Sequence, residues 1–314
     1  KNLHRINQEL SSDNQQLSIH LNAIQQVQRT ITPTPETQAD SIQNSKLEDA
    51  PKTTSEPDWM QDWRSGRTFN KESVAIILMG ETGKCLRPSL IELLAKQLNL
   101  TLPNSSLNET FTRLINFDNG GGLVEVLNVF QHDGASTGGN HPDLLRLTQR
   151  GRDAFRYLTG NQAGENEYDR LVPKHKSPEH TVLNIQASEV LIETGDYEVL
   201  EQAPDIRLPD GSVFIPDLVA RYRKTGETIF IEVERDTGKN QEVRPIKWKN
   251  VMNATNGNIY VICDNISCQR AIQKEINEVL EDSRFNSHLT NINSLRDKKR
   301  ARGGGIWLSI KRTQ

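Results

Sequence analysis

Apolar residues recur at every seventh position at the start of the chain: Leu3, Leu10, Leu17, Ile24 and Ile31. With these as d positions, the a positions are Asn7, Asn14, Leu21 and Gln28. The seam predicts a coiled-coil helix over 1–31. Leu at d with Asn at a favours a parallel homodimer, because buried Asn side chains pair only in register. An amphipathic helix lying on its own chain would carry the same seam. The pattern lapses over 32–57, which is rich in Pro, Thr, Ser and Gln. Such a stretch cannot bury enough surface to offset its ordering entropy, so it predicts a disordered linker.

Helical periodicity returns over 58–160. "KESVAIILMGETG" and "LRPSLIELLAKQLNL" predict two helices, and "SSLNETFTRLINF", opening at a Ser/Asn cap signal, predicts a third. "LVEVLNVF" and "DLLRLT" predict strands joined by the Gly-rich "QHDGASTGGNHP", and "QRGRDAFRYLTG" predicts a closing helix. Trp59 and Trp63, one helical turn apart, are expected to anchor the end of the linker onto this part. "LMGETGKC" imitates a phosphate-binding loop. Two residues separate Gly80 from Gly83 where four are needed, and Cys85 follows Lys84 in place of Ser or Thr, so a helix cap and turn is expected.

Over 161–314 the pattern changes again. The polar "NQAGENEYDRLVPKHKS" reads as a bridge. "PEHTVLNIQASEVLIETG" predicts a helix with Val182, Ile185, Val190 and Leu191 in its core face. "YEVLEQAPDIRL", "SVFIPDLVARYR" and "ETIFIEVERD" predict three successive strands, with turns at "PDG" and "KTGE". A helix after Pro245, a buried strand "NIYVICDN", an amphipathic helix "CQRAIQKEINEVLED" and an edge strand in "GGIWLSI" complete the order. Asp210, in the "PDG" turn, is expected to bond local backbone.

Composition narrows the function classes. Apolar residues make up only 34% of the 314 residues, and the net charge of −3 excludes a uniformly basic nucleic-acid coat while leaving local patches open. "LRDKKRARGGG" (295–305) is one such patch, either a solvated loop or a salt-sensitive phosphate contact. Cys85, Cys263 and Cys268 form no zinc spacing and leave an odd thiol, which suits a reducing cytoplasm. No apolar run approaches the roughly 20 residues of a membrane span, so no membrane insertion is expected. A first residue of Lys is compatible with a piece of a longer product.

The chemistry concentrates in three acids. Glu232 and Glu234 project to one face of a strand, about 7 Å apart. Asp217, expected near the middle of the preceding strand, falls opposite them if the two strands form a hairpin. Three carboxylates on one patch repel unless a cation joins them, and hard oxygen donors suit Mg2+ or Mn2+. Such an ion stabilises charge on a phosphate undergoing displacement. Glu179, with Ser177 and Pro178, reads as a helix-start signal. His175 and His180 lie five apart and no third ligand is evident beside them.

This element order, with "IPD" at 215–217 and "IEVE" at 231–234, resembles the PD-(D/E)XK nuclease superfamily over residues 175–282. Within it, "HKSPEH", "IPDLV" and "FIEVERDTGK" look most like the replication-relaxation group of plasmids and mobile elements, which carries a winged helix before the nuclease-like domain. The resemblance implies an αβββαβ domain over 161–314. Three helices and a two-stranded wing over 58–160 resemble a winged helix–turn–helix, with "LLRLTQRGRDAFRYLTG" looking like its wing-to-last-helix segment. The nuclease resemblance also implies metal ligation by Asp217 and Glu232, with Glu179 as a further ligand where some members place an extra acid at the start of the domain's first helix. Glu234 replaces the family lysine, as in E-X-E variants where the second acid binds metal or orients water. Lys247, from the following helix, is the substitute lysine, and Arg244 a phosphate contact. In DNA-binding winged helices the third helix enters the major groove. Here Arg113 is its only cation, and winged helices also serve as spacer or protein-interaction modules.

The expected function is that of a DNA-associated, Mg2+-dependent endonuclease-like protein. The alternative is a non-catalytic DNA-binding or regulatory module on a degenerate nuclease fold, or one part of a larger replication or transfer complex.

Overall fold

The computed structural model describes residues 57–118, 121–129, 131–132, 135–136, 143–175, 177–200, 203–235, 244–296 and 305–312. The expected zipper helix, the linker up to residue 56 and residues 297–304 of the cationic run lie outside them. The described residues are mixed α/β, with ten helices and a six-stranded mixed sheet among them.

The first half is a helical cluster closed by a strand pair. Helices α1 (Asp58–Ser65), α2 (Phe69–Thr82), α3 (Arg87–Gln97) and α4 (Ser105–Ile115) follow the apolar periodicity. Asn104 begins α4 by accepting a hydrogen bond from the Ser106 N–H. Trp63 is buried and its Nε1 donates to Glu72 at 2.8 Å, while Trp59 meets the Phe117 ring edge-on. The tryptophan pair therefore pins α1 to the cluster. Strands β1 (Val124–Leu127) and β4 (Leu144–Leu147) pair antiparallel around a short hairpin, β2 (Gln131–His132) and β3 (Ala135–Ser136). Leu86 bridges to Leu144 at the edge of that pair, and α5 (Gln149–Thr159) closes the unit.

The glycines of the false phosphate loop have packing reasons. Gly83 ends α2 at φ 64°, a conformation that costs a residue with a Cβ about 1–2 kcal/mol. Gly80 lies under the ring of Phe155 from α5, where a Cβ would come within 2.2 Å of Cδ2.

The second half is a sheet with helices on both faces. The stretch read as a polar bridge contains a helix, α6 (Glu167–His175), whose buried Tyr168 and half-buried Leu171 and Val172 were outnumbered in sequence by polar neighbours. After it come α7 (Pro178–Glu193), β5 (Tyr197–Leu200), a small hairpin of β6 (Ile206–Arg207) and β7 (Val213–Phe214), then β8 (Leu218–Tyr222) and β9 (Thr228–Glu234). Next are α8 (Arg244–Ala254), β10 (Asn258–Cys263), α9 (Ile266–Val279), β11 (Asn286–Asn291), α10 (Ile292–Arg296) and β12 (Ser309–Arg312). The sheet order is β12-β11-β10-β9-β8-β5, with β9, β10 and β11 parallel and the other neighbours antiparallel. Strand β11 was not predicted, because "NSHLTN" shows no apolar alternation; polar side chains are enclosed on both its faces, Ser287 and Asn291 on one and Thr290 on the other.

"SVFIPDLVARYR" is two strands rather than one. Pro216 has no N–H to donate to a ladder, so pairing stops at Leu218↔Ile231, and Asp217 occupies the break rather than mid-strand.

Alternation along β9 sorts its side chains. Ile229, Ile231 and Val233 pack with Leu183, Ala187 and Leu191 of α7. Phe230 packs toward the opposite core, formed by Trp248 and Val251 of α8 and Ile272 and Ile276 of α9. Glu232 and Glu234 share the side of Phe230. Because β9 and β10 are parallel, the chain needs a crossover between them, and α8 is that crossover. It lies over the glutamates. No described helix is long and apolar enough to cross a membrane.

Candidate active site

Asp217 takes over the hydrogen bonding that Pro216 interrupts. Its Oδ2 accepts the Val233 N–H at 2.9 Å, a backbone donor left open where the β8–β9 ladder ends. The ladder ends at Leu218↔Ile231, and one step further along the same register Asp217 falls next to Glu232. Its Oδ1 meets His180 Nε2 at 2.9 Å and lies 3.8 Å from His175 Nδ1. Burial pushes the Asp217 carboxyl upward, but the His180 hydrogen bond, Lys247 and the Val233 amide outweigh it and hold it below the usual range.

Glu232 and Glu234 are almost fully enclosed, with relative exposures of 5% and 0%. The cation joining them is Lys247 from α8, whose Nζ lies 2.5 Å from Glu232 Oε2 and 2.6 Å from Glu234 Oε1. Glu232 Oε1 is buried with no hydrogen-bond partner among the described residues. Burial raises the Glu232 carboxyl to about 7, with Lys247 opposing and Asp217 adding to the rise. Burial alone would lower the Lys247 ammonium pKa, but Glu232, Glu234 and Asp217 outweigh it and hold that pKa above its ordinary value. The expected lysine substitute is thus in contact with both glutamates.

Arg244 turns to α9, where its Nε donates to Glu275 at 2.6 Å; its Nη1 lies 3.7 Å from Glu234. Trp248 Nε1 donates to the same Glu275 at 2.7 Å, so this acid fixes the first turn of α8 and hence the reach of Lys247. Glu179 faces elsewhere. It accepts from Ser177 Oγ at 2.6 Å and lies 3.3 Å from Arg235, and these partners, led by Ser177 against a smaller effect of burial, bring its carboxyl down to about 2. Arg113 is in the helical half, donating to the buried Glu72 at 2.8 Å with Glu109 at 3.6 Å. Asp210 caps its own turn by accepting from Ser212, as expected.

No third ligand stands near His175 and His180 in sequence; the structure supplies Asp217. The two imidazoles come from the end of α6 and the first turn of α7, with ring centroids 5.2 Å apart. Burial lowers the His175 pKa, Asp217 opposing. The signal available in sequence was the His pair flanking a Pro-marked helix start. The missing element was the fold that carries Asp217 across to it.

The cluster therefore offers a buried hard oxygen, a lysine held by two acids, and an aspartate between that lysine and two histidines. Such a group can bind a cation, hold a phosphate oxygen, or neutralise itself. No family model, curated protein or solved structure matches this chain.

Proposed function

We propose that the protein is a metal-dependent phosphodiester hydrolase acting on DNA, built on a PD-(D/E)XK-like αβββαβ core from α7 to β10. One observation carries the reading: Lys247 Nζ lies 2.5 Å and 2.6 Å from Glu232 and Glu234, on the strand next to Asp217. A lysine delivered from the following helix supplies the cation that Glu234 removes from the motif.

The residues fit a hard divalent ion at one point in particular. Glu232 Oε1 is a buried carboxylate oxygen with no hydrogen-bond partner among the described residues, and Glu232 falls next to Asp217 one step beyond the last pair of the β8–β9 ladder. Asp217 and Glu232 would hold Mg2+ or Mn2+, which would stabilise charge on a phosphate oxygen and acidify a bound water. Lys247 is the group placed to stabilise a phosphate. Glu234, wholly buried between Lys247 and Arg244, acts as a positioning residue for that lysine. In this reading residues 58–160 form a winged helix. Arg113, already paired with Glu72, fits a spacer role better than base contact.

The second reading, a non-catalytic DNA-binding module, is favoured by the same ion pairs, since Lys247 already neutralises the acids from within. Nicking of supercoiled plasmid in Mg2+ or Mn2+ separates the two. The expected result is nicking by the wild type and at least about a hundredfold loss in Glu232→Gln and Lys247→Ala, the scale of removing one preorganised charge. An unchanged rate in Glu232→Gln would end the hydrolase reading, and retained DNA binding without nicking would favour the second.

A further inference from the structure

We propose that His175, His180 and Asp217 form a binding site for a borderline divalent transition-metal ion of the Mn2+, Co2+ or Zn2+ class. The site shares Asp217 with the hydrolytic reading above but does not depend on that activity.

Geometry carries it. One donor atom from each of the three residues lies within 4.8 Å of the other two. The side chains keep 9%, 22% and 18% of their surface, enclosed enough to be held and open enough for an ion to enter. Each donor is anchored by the fold. Asp217 is fixed by the Val233 N–H at 2.9 Å. His180 is in the first turn of α7, where the Ser177 hydroxyl accepts its backbone N–H. His175 ends α6, which is packed on α7 through Tyr168. The donors therefore come from two helices and a sheet, and preorganisation of this kind belongs to elements rather than loops.

Donor chemistry selects the ion. Two imidazoles with one carboxylate suit the later first-row metals, whereas Mg2+ demands oxygen donors and gives up its water reluctantly. Three protein ligands leave positions open for water or a phosphate oxygen, as in sites that bind exchangeable ligands. Loading replaces the His180–Asp217 contact with two bonds to the ion. Any proton on the donor nitrogens is released to solvent.

The test is Co2+ titration of the untagged full chain, followed by its visible d–d absorption. One saturating equivalent is expected, undisturbed by a large excess of Mg2+. His175→Gln and His180→Gln should each weaken binding by more than about a hundredfold, since even outer-shell partners of a metal are worth about 10–100-fold. Glu232→Gln should leave the spectrum in place while abolishing nicking, so failure of the hydrolase reading is read separately. A variant that fails to fold is bypassed by Mn2+ bound to the wild type, where electron-spin-echo spectroscopy should show imidazole nitrogen coupling. Absence of a saturable Co2+ spectrum, or of nitrogen coupling on bound Mn2+, would overturn the site.

Discussion

A carboxyl that loses water keeps its proton longer, and Glu232 keeps its own up to about 7 because burial outweighs the pull of Lys247. In the unfolded chain it ionises near its ordinary value of 4.5. The unfolded state therefore gives up this proton first. The stabilising effect of the protonated form is complete below about 4.5, and rising pH erodes it until the folded group ionises at about 7. Glu232→Gln removes the titration while keeping the shape. Measured by urea unfolding in metal-free buffer, the variant should gain on the wild type between about pH 5 and about pH 8, by roughly 1–3 kcal/mol. A constant difference across that range would show that Lys247 fully compensates the charge. The same ionisation frees the carboxylate as a ligand, so the proposed hydrolysis should rise across the upper part of this window. Residue types and their spacing made Asp217, Glu232 and Glu234 legible in the sequence, while Lys247 was reached only through the resemblance to the nuclease superfamily. The hydrogen bonds from His180 and Val233 to Asp217 were not, because they join segments 37 and 16 residues away.

At the scale of elements, α2 and α5 show which of two opposed effects wins. Gly80→Ala gains about 1 kcal/mol of helix propensity. Its Cβ, however, would stand 2.2 Å from Cδ2 of Phe155, a ring 2% exposed with little room to move. Overpacking of this kind costs about 1–3 kcal/mol, so the expected outcome is net destabilisation in urea unfolding that shrinks in a Phe155→Ala background. Stabilisation by Gly80→Ala alone would show that the two helices slide apart freely. Elements with a clear apolar period, such as α2, α4, α7, β9 and β10, were readable from sequence. The misread ones share a physical cause. Helix α6 buries few residues, β11 encloses polar residues such as Asn291, whose Nδ2 donates to Gln269, and β8 was merged with β7 across a proline. Pattern reading sees burial through hydrophobicity, and it fails where burial is polar or brief.

At the scale of the molecule, the helical half and the sheet half meet on the helix that carries His180. Cys85, Leu86 and Leu144 from the first pack against Tyr168, Val182 and Ile185 from the second. Lys84 reaches Glu167 at 3.3 Å and Glu189 at 3.2 Å, and Ser89 Oγ donates to Glu189 at 2.5 Å. An apolar seam flanked by acids paired to Lys84 is poorly able to open, since separation would expose Leu86 and leave the half-buried Glu167 and the buried Glu189 without that lysine. The described residues accordingly belong to one unit, Glu56–Gln314. Leu86 is fully buried, so Leu86→Ala should cost about 2–5 kcal/mol. That loss should appear in both halves, as a single unfolding transition at lower denaturant. Amide exchange should quicken in α7, from Thr181 to Leu191, as much as in α3. Two separate transitions, with only the helical half weakened, would mean that the seam is a contact between independent domains. In that case the first turn of α7, and the His180–Asp217 contact with it, would be held by the sheet alone.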